Sequence, residues 1–259
     1  MISIFYVIFL QDMFSFFSKK SKEAAITQLP FQTDIHSHIL PGIDDGSPDI
    51  ETSLKLVHGI YNLGITKTVA TPHVIADMFR NTPETIQNAL NLLTAACKKE
   101  KIPIEITAAA EYMLDDYFIK LLRSDTPLLT VHKNIILTEQ SYATPTSNLN
   151  EISFELVTAG YLPIMAHPER YPFYHSNYEA YSHLKDMGFL LQVNLLSLTG
   201  YYGKPVAKAA RYIFDNDLAD LVGTDMHHER HLQTLQHPTN LEIFSKYLGE
   251  RTYNDFSGF

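Results

Sequence analysis

The sequence predicts a parallel α/β fold closed into a barrel, and two observations carry that expectation. Short apolar runs alternate with helix-like stretches through most of the 259 residues, as they do when parallel strands are covered on both faces. Histidine, aspartate and glutamate also recur where those runs end. The strands of a parallel barrel end on one rim, where the active sites of such folds are built.

Seven strands are expected, over 31–36, 65–71, 104–109, 135–139, 162–166, 190–193 and 218–223. The intervening helices carry start and stop signals. Ser47 is read as a cap with Pro48 at the first helical position, Ile50, Leu54 and Val57 as the apolar face, and Gly64 just past the end. Thr82-Pro83 opens the next helix, whose stripe is Ile86, Leu90 and Leu93. Three more span 148–160, 177–188 and 205–216. Residues 31–259 therefore read as a single domain, preceded by an extension over 1–30.

A 45% hydrophobic, 19% charged composition is enough to bury a real core. The net charge of −9 argues against broad contact with nucleic acid, which calls for a basic face. Cys97 is the only cysteine, so no internal disulfide forms, and a reducing, cytoplasmic compartment is expected. Lys98-Lys99-Glu100-Lys101-Ile102-Pro103 follows it without the glycines or arginine of an anion-binding loop, which argues against thiolate catalysis. Met1 to Leu10 is apolar but too short to span a bilayer. Met13 is read as the start, and membrane contact is at most peripheral, through Phe14, Phe16, Phe17 and the lysines that follow.

The chemistry begins at Thr33-Asp34-Ile35-His36-Ser37-His38, a strand end followed by Pro41-Gly42 and Asp44-Asp45-Gly46. Side chains two apart on a strand share a face, so His36 and His38 aim at one point, with the aspartates just beyond. His73 follows Thr71-Pro72 at the second strand end, Glu111 closes the third and Glu139 the fourth. His167 opens His-Pro-Glu-Arg after the fifth, and Asp225 and His227 close the last. Singly, His73 or His167 is better explained as a packed or hydrogen-bonded histidine, and Glu111 or Glu139 as a solvated carboxylate. Together they would bury several carboxylates, which demands cations as counter-charge. Nitrogen and oxygen donors without sulfur suit manganese, iron or zinc in a working site more than a structural zinc.

The order His36-x-His38, Asp45, His73, Glu111, Glu139, His167, Asp225-x-His227 resembles that of the polymerase-and-histidinol-phosphatase (PHP) superfamily. Three segments resemble its bacterial tyrosine-protein phosphatases of capsule and exopolysaccharide loci. They are His36 to Gly46, Ala70-Thr71-Pro72-His73 and Ala166-His167-Pro168-Glu169-Arg170. The resemblance runs from about Thr33 to His231. It implies a distorted, TIM-like barrel of seven strand-helix units holding three divalent metals, manganese first, with iron or zinc as alternatives. His36, His38, Glu111 and Asp225 would hold the first metal. Glu111 would bridge to a second held by Glu139 and His167, and Asp45, His73 and His227 would hold the third. Arg170 would contact the substrate phosphate, and Arg230 would supply a second arginine.

The implied activity is metal-dependent hydrolysis of phosphotyrosine in a protein, with a bacterial tyrosine autokinase of polysaccharide export as partner. The residue inventory suits it. Several cations generate a nucleophile from water and neutralise phosphate oxygens, and an arginine fork adds bidentate hydrogen bonds. Three rivals stay open on sequence alone: a small-molecule phosphatase such as histidinol phosphatase, an amidohydrolase-like enzyme, and an inactive metal-binding module. No strand-end lysine of the kind amidohydrolases use to bridge metals stands out.

Overall fold

The computed structural model describes residues 27–124, 126–249 and 251–258. The expectations for the N-terminal extension before residue 27 lie outside them. No helix among the described residues is long and apolar enough to cross a membrane.

The strands are β1 (Thr33–Ser37), β2 (Lys67–Ala70), β3 (His73–Ile75), β4 (Phe79–Arg80), β5 (Glu105–Ala108), β6 (Glu111–Met113), β7 (Ile135–Glu139), β8 (Leu162–Ala166), β9 (Leu190–Asn194) and β10 (Leu221–Gly223). They form a three-stranded sheet, β1-β2-β5, and a seven-stranded sheet, β10-β9-β8-β7-β6-β3-β4. Every pairing is parallel except the short β3–β4 ribbon. The fold is thus mixed α/β with a largely parallel sheet.

The expected strands 65–71 and 104–109 each prove to be the first half of a broken strand. Pro72 has no N–H to give to the ladder, and the second strand resumes as β3 after it. Its carbonyl still accepts from Glu111 N (3.1 Å), just as Ala70 O accepts from Ala109 N (2.8 Å). His73 and Glu111 therefore open β3 and β6 instead of closing their predecessors, and they are direct partners in register.

Hydrogen bonds link β1 to the segment following β10. Asp225 N donates to His36 O (2.8 Å) and His38 N to Met226 O (2.9 Å). Buried Asp34 accepts from Thr224 N (3.0 Å) and Thr224 Oγ1 (2.6 Å). Asn254 fastens the same seam, donating to Thr33 O (2.7 Å) and Val222 O (2.9 Å) and accepting from Val222 N (3.1 Å).

Two apolar clusters fill the molecule. Ile136 and Met165 face the larger one with Leu56, Leu93, Leu156 and Ile213 of the covering helices. Ile135, Leu137 and Ile164 face a smaller one with Ile35, Val69 and Leu221. The alternation follows the two-residue period of a strand. Glu139 continues the Ile135–Leu137 face, so the last residue of an apolar strand is a buried carboxylate (2% exposed).

The helices lie close to their expected positions: Ile50–Asn62, Pro83–Lys99, Leu149–Thr158, Glu179–Asp186 and Lys204–Asp215. The first is capped by Asp49, whose carboxylate accepts from Thr52 N (2.8 Å), and not by Ser47. Ser47 is turned inward instead, accepting from Ser53 Oγ (2.9 Å), and Ile50 faces outward. The helices Asp116–Leu122, Glu229–Leu235 and Pro238–Leu248 have no counterpart in the sequence reading. The last buries Leu241, Phe244 and Leu248 in the main core.

Candidate metal centre

Nine side chains singled out in the sequence meet at one cleft, a space of about 270 Å³ whose walls include Asp45, His73, Glu139, His167, Asp225 and His227. His36, His38 and Glu111 lie just beneath it, fully buried. A larger cavity of about 1020 Å³ opens by the first residues of β1, near Thr33, Lys67 and Thr107. Among the described residues it gathers no group of three or more histidines and carboxylates close enough to hold an ion.

His36 Nε2 and His38 Nε2 stand 3.3 Å apart. Glu111 Oε2 is 3.2 Å from the first and 3.3 Å from the second. Asp225 Oδ1 is 3.3 Å and 3.4 Å from the same two nitrogens. Donors 3.2–3.4 Å apart are spaced like neighbouring ligands of one transition metal, each about 2.0 Å from the ion. The two ring nitrogens thus have a carboxylate oxygen on either side.

The remaining donors adjoin it. His167 Nε2 lies 3.1 Å from the other Glu111 oxygen. His73 Nδ1 lies 3.1 Å from Glu111 Oε2 and 2.9 Å from Glu139 Oε1. Asp45 Oδ1 faces His73 Nε2 at 3.5 Å and His227 Nε2 at 3.6 Å. His73 Nδ1, Glu111 Oε2, Glu139 Oε1 and Asp225 Oδ1 are buried with no hydrogen-bond partner. Four such atoms facing one space are costly unless a cation meets them.

The outer nitrogens of the rings are already committed. His36 Nδ1 bonds Gln192 Oε1 (2.7 Å), His38 Nδ1 bonds Asp44 Oδ2 (2.7 Å) and His227 Nδ1 bonds the carbonyl of Asp225 (2.9 Å). Each acceptor fixes the proton on Nδ1 and turns the Nε2 lone pair inward, as metal-binding histidines require. Asp44 stands beside Asp45 in the loop after the first strand, whereas Gln192 is a partner that the strand-end pattern alone does not find.

Two glycines make room for this. A Cβ on Gly46 would lie 2.2 Å from His38 O, and one on Gly223 would lie 2.8 Å from His36 Cβ. Both positions require the bare backbone. His167 (φ 35°) and Asp225 (φ 49°) adopt left-handed backbone without being glycine. Such strain costs on the order of 1–3 kcal/mol per residue and gathers at functional sites.

The electrostatics ask for positive charge. Burial alone would depress the imidazoles. At His36, however, Glu111 and Asp225 outweigh it and raise the pKa, and at His38 Asp44 and its neighbours raise it further. His73 is likewise depressed by burial yet pushed up to about 10, chiefly by Glu111. Against burial, His36 and His73 hold Glu111 well below the usual carboxylate range, and His227 and His36 do so for Asp225. In the absence of a cation the carboxylates favour protons on His36, His38 and His73, whereas burial lowers the pKa of His167; a divalent ion would replace those protons.

Arg170 reaches the cleft from the short turn Pro168–Arg170. Its Nη1 donates to Asp225 Oδ2 (2.7 Å), and its guanidinium lies 5.0 Å from the Tyr142 ring and 4.3 Å from the Tyr202 ring. Arg230 is placed otherwise. It is exposed in the first turn of the helix Glu229–Leu235, 5.5 Å from the Tyr201 ring, and takes no part in lining the cleft. Its helix turns it outward, whereas the backbone leading to Arg170 turns inward. Tyr142, Tyr202 and His231 do line the cleft, and no sequence signal distinguishes them from other surface aromatics.

Buried imidazoles and carboxylates at the strand ends, with an arginine held beside them, mark a protein of α/β architecture whose side chains could hold metal ions. The chain belongs to the capsular polysaccharide synthesis CpsB/CapC family, whose model matches residues 32–256. It is 31% identical over 200 residues to the tyrosine-protein phosphatase CpsB of Streptococcus pneumoniae, covering 75% of this chain and 82% of that protein. It is 28% identical over 194 residues to the tyrosine-protein phosphatase YwqE of Bacillus subtilis, covering 75% of this chain and 76% of that one. A crystal structure from work on YwqE and CpsB, presented there as metal-dependent tyrosine phosphatases, superposes with a TM-score of 0.76 at 27% identity. That match covers 85% of this chain and 89% of the other. The family match extends past His231, the limit of the resemblance read from the motifs, through the helix that buries Leu241 and Phe244.

Proposed function

We propose that this protein is a metal-dependent protein-tyrosine phosphatase acting on a bacterial tyrosine autokinase of polysaccharide export. Residues 31–259 would form one catalytic domain, a distorted seven-stranded barrel, in the reducing cytoplasm that the lone buried Cys97 suits. The observation that carries the reading is the unpartnered Glu111 Oε2, within 3.3 Å of three imidazole nitrogens.

His36, His38, Glu111 and Asp225 would hold one divalent ion, and Glu139 and His167 a second shared through Glu111. Asp45, His73 and His227 would hold a third. Manganese, iron and zinc all suit such donors. When bound, these ions supply Lewis acidity toward phosphate oxygens and make water a nucleophile near neutral pH.

The chain's own residues do the rest. Arg170, oriented by Asp225 and flanked by two rings, keeps further N–H groups for the phosphate oxygens. Tyr142, 41% exposed at the mouth with its ring 5.8 Å from that of His167, offers an aromatic wall to the tyrosyl ring. A phenol leaves with a pKa of about 10 and needs little help from an acid.

The test is turnover of a phosphotyrosine peptide beside histidinol phosphate, each with added Mn²⁺ and after chelation. Peptide hydrolysis that vanishes on chelation and returns with Mn²⁺ is expected. Preference for histidinol phosphate, or activity indifferent to chelation, overturns the assignment.

A further inference from the structure

Beside the metal cleft lies a groove of about 710 Å³ with a different chemistry. One wall is the helix Lys204–Asp215, which presents Lys204, Lys208 and Arg211 to it. The spacing i, i+4, i+7 sets all three on one helical face. Tyr178 lies opposite, 5.8 Å from Lys208 Nζ.

Three cations together stand out in a chain of 20 basic and 29 acidic residues. Among the described residues none of the three is within ion-pairing distance of a carboxylate; other surface lysines and arginines, such as Lys55, Lys67 and Arg123, are paired. Arg211 donates to the carbonyl of Leu198 (3.1 Å), which fixes its direction without neutralising it. Asp215 is the one carboxylate lining the groove, at its far end. Lys204 occupies the first position of its helix, where a cation opposes the positive end of the helix dipole. Helix stability does not account for it.

The groove adjoins the cleft. The turn Gly200–Gly203, closed by Gly203 N to Gly200 O (2.9 Å), gives Gly200 to the groove. Two residues on, it gives Tyr202 to the cleft, against Arg170. A polypeptide entering the cleft with a phosphotyrosine has this groove beside it.

We infer that Lys204, Lys208 and Arg211 form a docking groove for an acidic segment of the substrate polypeptide flanking the phosphotyrosine. The inference rests on the phosphatase reading above and adds substrate selection to it. Opposite charge supplies the recognition: the groove is the cationic complement of clustered aspartate, glutamate or further phosphate.

The experiment compares two phosphotyrosine peptides differing only in an acidic or a neutral flank, with p-nitrophenyl phosphate as a flank-free probe. The wild type should show a KM five- to tenfold lower for the acidic peptide, roughly what two or three exposed ion pairs give. High salt should abolish the difference. Lys204→Glu/Lys208→Glu, two exposed sites, should remove the preference and leave p-nitrophenyl phosphate kinetics unchanged. Arg211→Gln should weaken it partly. A wild type without preference, or a double variant that keeps it, overturns the inference. Should the wild type hydrolyse p-nitrophenyl phosphate but neither peptide, the phosphotyrosine assignment fails by itself. The groove is then read by fluorescence anisotropy of an unphosphorylated acidic peptide. Salt-sensitive binding lost in the double variant supports it, and no binding refutes it.

Discussion

The carboxylate of Asp225 divides its two oxygens between Arg170 and the imidazoles. Oδ2 accepts from Arg170 Nη1 at 2.7 Å, while Oδ1 faces His36 Nε2 at 3.3 Å. The proposed phosphate clamp and the proposed metal cage therefore share a residue, and disturbing one reaches the other.

Arg170→Ala should lower kcat/KM for aryl phosphates by roughly 10²-fold, the loss expected for a charge-assisted phosphate contact. Arg170→Lys should recover only part, because an ammonium cannot reproduce the fork. Steady-state kinetics of the two variants test this, and unchanged rates would make Arg170 a structural residue.

Glu111→Gln should abolish turnover and reduce the number of ions bound, because one carboxylate faces donors on both sides. Metal content after gel filtration, measured alongside activity, checks both. Near-normal turnover in metal-supplemented buffer would refute the bridging role.

Removing metal should make stability pH-dependent. His73 has its pKa raised to about 10 in the folded, metal-free chain, against 6.5 unfolded. Its protonation stabilises the fold fully below pH 6.5, and that contribution is lost as pH rises toward 10. The chelated protein should therefore lose Tm across this window, while the metal-loaded protein, in which His73 would be a neutral ligand, should not. Thermal melts at pH 6.5, 8 and 9.5 decide, and a flat chelated series would refute it.

Asp44→Ala should weaken metal binding by 10- to 100-fold, the usual effect of removing the partner that orients a metal-binding histidine. The substitution frees His38 Nδ1 and also strips an acceptor from Gly46 N and His73 N. Titration of the metal-free protein with Mn²⁺, read by calorimetry, measures the loss.

Alkylation should leave the enzyme active. Cys97 is 3% exposed, and burial pushes its thiol up to about 11, so little thiolate exists at pH 8. Retained p-nitrophenyl phosphate turnover after iodoacetamide treatment is expected, and inactivation would reopen thiolate chemistry.

The residues that gather at the cleft were legible because each ends or follows an apolar run, where a charge is least expected by chance. Glu139 at the end of β7 is the plainest case. Arg170 and Arg230 were legible only through the resemblance, and of the two only Arg170 lines the cleft. The break at Ala109-Ala110 was harder to see because the chain stays apolar across it, and at Thr71-Pro72-His73 the polar residues and the proline read as the end of a strand and not as a pause in it. Gln192 and Tyr202 were hidden for another reason. Their roles come from what lies across the fold from them, and local periodicity carries no trace of that.

The seam closed by Asn254 has a temporal consequence. His36 and His38 leave the ribosome nearly two hundred residues before Asp225, and the side chain tying the first strand to the last follows later still. No growing chain can assemble the cage from its early portion alone, so hydrolytic competence should arrive abruptly, only once Asn254 has been made.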